Sequence, residues 1–262
     1  AEIKTIENMG VTLKTGVTFG TDITLESLRK SGIQAVFLAT GLHGSRKLGV
    51  EGEDLEGVLP GLAFLRDAAL GKPIALGTKV VVVGGGNVAV DVALTATRLG
   101  AEAVTMVCLE SREEMPAWDY EIDEALEENI AILNCFGPNR FAGIDGKVSG
   151  IEFKRCTCVF DDKGCFNPEY NETDVQTLPA DTVIVAIGQA PILDFAQDQG
   201  IAVTPKGGIG ADALTLQTPI PWIFAGGDAV YGPKSVVDAV ACGKAAAESI
   251  HRFLNDIDLK EG

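Results

Sequence analysis

Aromatic residues make up only 6% of this 262-residue chain, histidine occurs twice, and lysine plus arginine (21) fall well short of aspartate plus glutamate (37). Each scarcity excludes something. A net charge of −16 disfavours nucleic acid and anionic membranes as partners. It is compatible with docking a basic redox partner, although a solvated acidic surface is the simpler reading. No stretch approaches the roughly 20 apolar residues of a membrane-spanning helix, and no signal peptide is visible. The six cysteines (Cys108, Cys135, Cys156, Cys158, Cys165, Cys242) contain no C-x-x-C or C-x₄-C pair, so a disulfide-reducing centre is not expected. They contain no ferredoxin-type run either, which leaves any iron–sulfur cluster to another domain or chain. Cys156 and Cys158 form C-x-C and should share one strand face, with Cys165 brought near by a turn at "DDKG". Three thiols with no fourth ligand read as small residues on a hairpin, and no metal site is expected. Reduced thiols in a cytoplasmic protein are the default for a chain too large to need staples.

Glycine, in contrast, is abundant at 31 residues, and 46% of the chain is hydrophobic. That is enough for one large domain or two modest ones, with many tight strand–helix turns. The opening "AEIKTIENMG" reads as the end of a helix, so a native start further upstream is expected. "VTLK" (11–14) reads as a short strand, "TLESLRKSG" (24–32) as a helix capped by Asp22 or Thr24, and "QAVFLATG" (34–41) as a buried strand. "LPGLAFLRDAALG" (59–71) predicts a helix and "KPIALG" a linker. Strand "TKVVVVGGG", helix 88–100 and strand 103–110 follow, then an amphipathic helix over 117–130 and a strand from 131. Residues 148–178 predict a β-hairpin with a third strand after it. Strands at 180–191 and 221–230 both end in glycine, and a long helix covers 235–254. This alternation is that of a parallel α/β sheet, and of more than one.

The chemistry concentrates in "VVVVGGGNVAVD" (80–91). Gly84-Gly85-Gly86-Asn87-Val88-Ala89 fits the dinucleotide-binding pattern G-x-G-x-x-A. Gly84 permits the tight turn, Gly86 lets a pyrophosphate approach the backbone, and Ala89 lets the helix lie close on its strand. The phosphates then meet the free N–H groups and the positive end of the helix dipole at Asn87 and Val88. A strand before, a helix after and a second strand ending at Glu110, 21 residues past Ala89, supply the Rossmann-like context that the pattern requires. Glu110 is placed to accept hydrogen bonds from adenosine ribose hydroxyls and to repel a 2′-phosphate, which favours NAD(H) over NADP(H). Arg112 is the alternative, as a receiver of that phosphate.

Three further strands end in "LATG" (38–41), "VAIG" (185–188) and "FAGGD" (224–228). Together with "ATGLHGSRKLGVEGEDLEGV" (39–58), "SREEMPA" (111–117) and "PWIFAGGDAVYGPKSVVDAVACGKAAA" (221–247), in this order, they give the chain a resemblance to the glutamate synthase small-subunit family of flavin-dependent NAD(P)H oxidoreductases. The resemblance runs over nearly the whole sequence. It implies an NAD(P)H-binding domain (74–191, including Gly188) inserted into an FAD-binding domain whose parts are 1–73 and 192–262. It also implies flavin contacts from Thr40 and Gly41, from Gly227 and Asp228 toward the ribityl chain, and from Ser235 and Val236 at the start of the last helix. The family's N-terminal FAD fingerprint is not found, so the FAD domain is expected to be partial and its hold on FAD weak or absent. Exposed strand edges then make self-association a further expectation. NADPH-using family members carry two arginines where this chain has Leu109 and Glu110, which again favours NAD(H).

The implied activity is hydride transfer from NADH to FAD and onward to an iron–sulfur acceptor domain or subunit. Such transfer needs ring stacking and proximity rather than a side-chain acid or base, so no catalytic dyad is expected from His43 and His251. The alternative is an NAD(H)-binding module without flavin and without turnover.

Overall fold

The computed structural model describes residues 2–260. In chain order its elements are α1 (Glu2–Asn8), α2 (Leu25–Lys30), β1 (Val36–Leu38), β2 (Gly44–Ser45), β3 (Val58–Pro60), α3 (Gly61–Ala69), β4 (Lys79–Val83), α4 (Asn87–Arg98), β5 (Ala103–Val107), α5 (Asp119–Glu127) and β6 (Ala131–Leu133). There follow β7 (Phe136–Ile144), β8 (Lys147–Phe160), β9 (Phe166–Pro179), β10 (Thr182–Val185), β11 (Gln189–Ala190), α6 (Asp194–Asp198), β12 (Ile223–Ala225), α7 (Asp228–Tyr231) and α8 (Val236–Leu254). The chain divides into two compact units, residues 43–190 and residues 1–42 with 191–262.

Residues 43–190 are built on a five-stranded parallel sheet in the order β3-β10-β4-β5-β6. The four valines of β4 are all buried because both faces of the sheet are covered. Val80, Val82, Met106 and Ile184 face one way, into a core with Phe64 of α3, Val90 of α4 and Ile122 of α5. Val81, Val83, Val107, Val183 and Val185 face the other way, onto Phe136, Ile151 and Phe153 of an antiparallel sheet in the order β7-β8-β9. The period of two in a strand thus sorts one apolar run into two cores. A two-stranded pairing of β2 with β11 closes the unit.

Residues 1–42 and 191–262 pair β1 with β12 in parallel, Val36 opposite Ile223 and Leu38 opposite Ala225. Leu25, Leu38, Ile201, Ile209, Ile223 and Ala229 form the core here. Thr24 caps α2 through a reciprocal box with Ser27. Gly226 is a glycine because a Cβ there would stand 2.4 Å from Sγ of Cys242 on α8 and 2.9 Å from the Phe37 ring.

Several expectations need correction. The chain divides at residue 42 rather than at 73, because Val58, Leu59 and Pro60 form β3 against β10 instead of belonging to the preceding lobe or to the following helix. Residues 11–14 are not a strand; Val11 and Leu13 are exposed and find no partner strand among the described residues. The third strand of the meander precedes the hairpin, as β7, rather than following it. Cys156 and Cys158 do not share a face: the β8–β9 register shifts between them, so Cys156 is buried and Cys158 exposed. No described helix is long and apolar enough to cross a membrane.

Candidate cofactor-binding site

The carboxyl end of the parallel sheet is where its topology switches. From β4 the chain moves through α4 to β5 on one side, and returns later as β10 on the other. Such a switch opens a crevice at the strand ends. The glycine turn lies there. Gly84 sits at φ +141°, and a Cβ on it would stand 2.3 Å from the Ala186 carbonyl oxygen, so nothing larger fits between β4 and β10. Its N–H donates to the Val107 carbonyl at 2.9 Å, which ties the turn to β5. Ala89, in the first turn of α4, is fully buried, and its small side chain allows the helix to sit close on the sheet.

Gly86 is different. It caps α4 with φ −95° and ψ 174°, a conformation open to any residue, and a Cβ on it would meet only Cγ of Pro116, at 3.9 Å. Neither backbone strain nor packing demands glycine here. No side chain caps α4, and among the described residues the N–H groups of Gly86, Asn87 and Val88 find no acceptor. The helix start is therefore open, unneutralised and approachable.

Glu110 stands beside this turn. A Cβ built on Gly85 would lie 2.9 Å from Oε2 of Glu110 and 2.9 Å from Cβ of Cys108. The carboxylate is half-buried, and burial, reinforced by the charge of Glu114, raises its pKa above the ordinary value. Burial, and secondarily the charge of Glu110, pushes the Cys108 thiol up to about 12. Arg112 points elsewhere: its guanidinium bonds Asp119 at 3.1 Å and lies 3.6 Å from Asp123, both on α5. Gly188, at φ +118°, follows β10 on the other side of Gly84; its carbonyl accepts from the Arg46 N–H at 3.1 Å.

Two residues here escape a reading of the sequence alone. The carbonyl of Glu110 accepts from Nδ2 of Asn134 and from the N–H of Cys135, both at 3.1 Å. They lie 24 and 25 positions away in the chain and carry no motif. Only the register of β5 against β6, with Val107 opposite Leu133, brings them alongside.

In the other unit, the ends of β1 and β12 lie side by side, the Gly226 N–H donating to the Leu38 carbonyl at 3.1 Å. This brings Thr40 and Gly41 to the same sheet end as Gly227 and Asp228. Oγ1 of Thr40 is buried without a hydrogen-bond partner among the described residues. Gly227 adopts φ 66° and ψ −155°, then Asp228 opens α7. A cavity of about 130 Å³ is lined by Gly227, Asp228, Tyr231, Lys234 and Asp238, among others. Ser235 is engaged in its own helix: Oγ accepts from the Asp238 N–H at 3.2 Å and donates to its carboxylate at 2.5 Å. Val236, 80% exposed, follows it at the start of α8. The first turn of α8 therefore carries a carboxylate, which offsets the positive end of its dipole.

The family model described as pyridine nucleotide-disulphide oxidoreductase matches residues 3–134 and 146–243. The chain belongs to this family. It is 42% identical over 257 residues to the NADP(+)-dependent formate dehydrogenase subunit beta of Moorella thermoacetica, covering 97% of this chain and 36% of the relative. It is 35% identical to the Escherichia coli NAD-dependent dihydropyrimidine dehydrogenase subunit PreT, covering 97% and 55%. It is also 35% identical to the Escherichia coli glutamate synthase [NADPH] small chain, covering 94% and 56%, as the sequence resemblance implied. The chain thus spans between about a third and just over half of the length of these relatives. Among solved structures, Mycobacterium tuberculosis FprA in complex with NADPH superposes with a TM-score of 0.75 at 17% identity, over 92% of this chain and 68% of that one, a likeness of fold.

Proposed function

We propose that residues 43–190 bind a nicotinamide dinucleotide at the Gly84–Ala89 turn, and that the chain serves an NADH-dependent flavin oxidoreductase. One observation carries this reading: Gly86 is a glycine for which the fold has no use, at the mouth of an uncapped helix. A pyrophosphate lying against that backbone accounts for it, held by the N–H groups of Asn87 and Val88.

Adenosine ribose hydroxyls donate to Glu110 in this reading. The same carboxylate repels a 2′-phosphate, and Arg112, engaged by Asp119 and Asp123, is not free to receive one. This supports NAD(H) over NADP(H), although named relatives use either. Gly188 leaves room for the nicotinamide half beside β10.

FAD is the second cofactor by family. The orphaned hydroxyl of Thr40, with Gly41, Gly227 and Asp228 at the same sheet end, fits a ligand there. When bound, the flavin supplies the two-electron acceptor for the nicotinamide hydride. The chain's own work is to bind, to orient the rings and to exclude water. Asp228 would accept from ribityl hydroxyls, and the backbone at Ser235 and Val236 would lie near the ring. An iron–sulfur domain or subunit in the cytoplasm would be the onward acceptor. A binding module without turnover is favoured at one point: the Asp238 carboxylate in the first turn of α8 would oppose negative charge on a reduced flavin held near that helix start. Flavin copurifying with the chain, or NADH-dependent dye reduction by it, would overturn that second reading.

The test is a fluorescence titration with NADH and NADPH. NADH should bind more tightly. Gly86→Ala should keep its melting temperature and lose at least about tenfold in NADH affinity, since the added methyl meets only the ligand. Glu110→Arg should reverse the nucleotide preference. Unchanged NADH affinity in Gly86→Ala would sink the reading.

A further inference from the structure

Glu110 lies just beyond the end of β5, where the β5–β6 ladder stops at Val107 and Leu133. Residues 109 and 110 form a bend with no ladder partner. Left to itself, such a segment rotates about its backbone, and a carboxylate at its tip moves by ångströms. Here the bend is pinned. The Asn134 amide donates to the Glu110 carbonyl at 3.1 Å and to Sγ of Cys108 at 3.3 Å, bridging the two residues on either side of Leu109. The Cys135 N–H adds a second bond to the same carbonyl, made possible by its left-handed φ of 61°. Asn134 is half-buried, so its amide works in a setting where water competes poorly.

We propose that Asn134 is a positioning residue that sets the reach of Glu110 across the glycine turn, and through it the preference for an unphosphorylated adenosine ribose. This rests on the reading of residues 43–190 as a dinucleotide site. The physical reason is selectivity of the effect. Asn134 acts on the backbone of the residue that carries the carboxylate, while the glycine turn is held separately, through the Gly84 N–H on Val107. Loss of the Asn134 amide should therefore disturb the ribose contact and leave the pyrophosphate contact alone. The Cys135 bond survives in such a variant, so the fold keeps the register of β6.

The experiment is a double-mutant cycle on the whole chain, with NADH and NADPH titrated separately and melting temperatures recorded. Asn134→Ala should weaken NADH binding by about five- to tenfold, the loss of one or two hydrogen bonds to the ribose. NADPH affinity should hold or rise, since a displaced Glu110 opposes its 2′-phosphate less. In a Glu110→Ala background the same substitution should have no further effect on NADH. Asn134→Asp, nearly isosteric, replaces a donor by an acceptor facing the Glu110 carbonyl and should be at least as weak toward NADH as Asn134→Ala. It also serves as the second variant if Asn134→Ala folds poorly. Equal losses for NADH and NADPH, full additivity with Glu110→Ala, or unchanged NADH affinity in both Asn134 variants would overturn the proposal. If Glu110→Ala itself leaves NADH binding untouched, the ribose reading fails and takes this inference with it; if Glu110→Ala matters and Asn134 does not, only the inference fails.

Discussion

A methyl group placed on Gly85 would stand 2.9 Å from Oε2 of Glu110. The carboxylate and the middle of the glycine turn are thus in contact, although 25 residues separate them. The turn and the acid form one surface.

The first consequence concerns Gly84 and Gly86, which share a motif and differ in why they are glycine. Gly84→Ala places a methyl 2.3 Å from the Ala186 carbonyl at φ +141°. We expect a loss of roughly 2–4 kcal/mol in stability, read by thermal or denaturant unfolding, because backbone strain and overpacking act together. Gly86→Ala should stay within about 0.5 kcal/mol of the parent in the same assay, as an ordinary surface change. Equal destabilisation by the two would contradict the geometry.

The pH dependence of Glu110 can be signed. Burial raises its folded pKa above the ordinary carboxylate value. The fold therefore favours the protonated form, and that contribution to stability is fully present below the unfolded pKa and lost as pH rises through the folded one. Glu110→Gln should accordingly raise the melting temperature at pH 7, by about 1–3 °C at most given the partial exposure, and the gain should vanish as the pH approaches 4. The same variant should bind NADH less well at neutral pH, because the ionised carboxylate is the stronger acceptor. A melting temperature lowered at pH 7 and restored in acid would reverse the sign argued here.

Thiol chemistry separates the cysteines by burial. Cys158 and Cys165 are exposed on the β8–β9 hairpin, whereas Cys108 is buried with its pKa pushed up to about 12. Alkylation of the native chain at pH 8, followed by peptide mapping, should label Cys158 and Cys165 first and Cys108 only after unfolding. Early labelling of Cys108 would mean that the end of β5 opens readily.

Local signals in the chain were sufficient for a good part of this molecule. The run Val80–Val83 into Gly84 and Gly86 announced a buried parallel strand, a tight glycine turn and a helix, because apolar continuity and glycine spacing are local signals. Helices α4, α5 and α8 were legible for the same reason, whereas the strand expected over 103–110 stops at Val107 and leaves Glu110 in a bend. The order of the motifs carried the family. Pairing between distant segments was not legible. Nothing local marks Val58–Pro60 as a strand; it becomes one because β10, more than 120 residues later, offers a parallel edge. Nothing in C-x-C says that a register shift will turn Cys158 outward while Cys156 stays buried. Nothing near Glu110 names Asn134, which arrives from the next strand of the sheet. Side-chain type and periodicity are properties of a short stretch, so the sequence determined the strand, the glycine turn and the helix that follows it. Register and neighbour choice are set by the free energy of burying whole faces against one another, so only the tertiary structure decided what holds Glu110 in place.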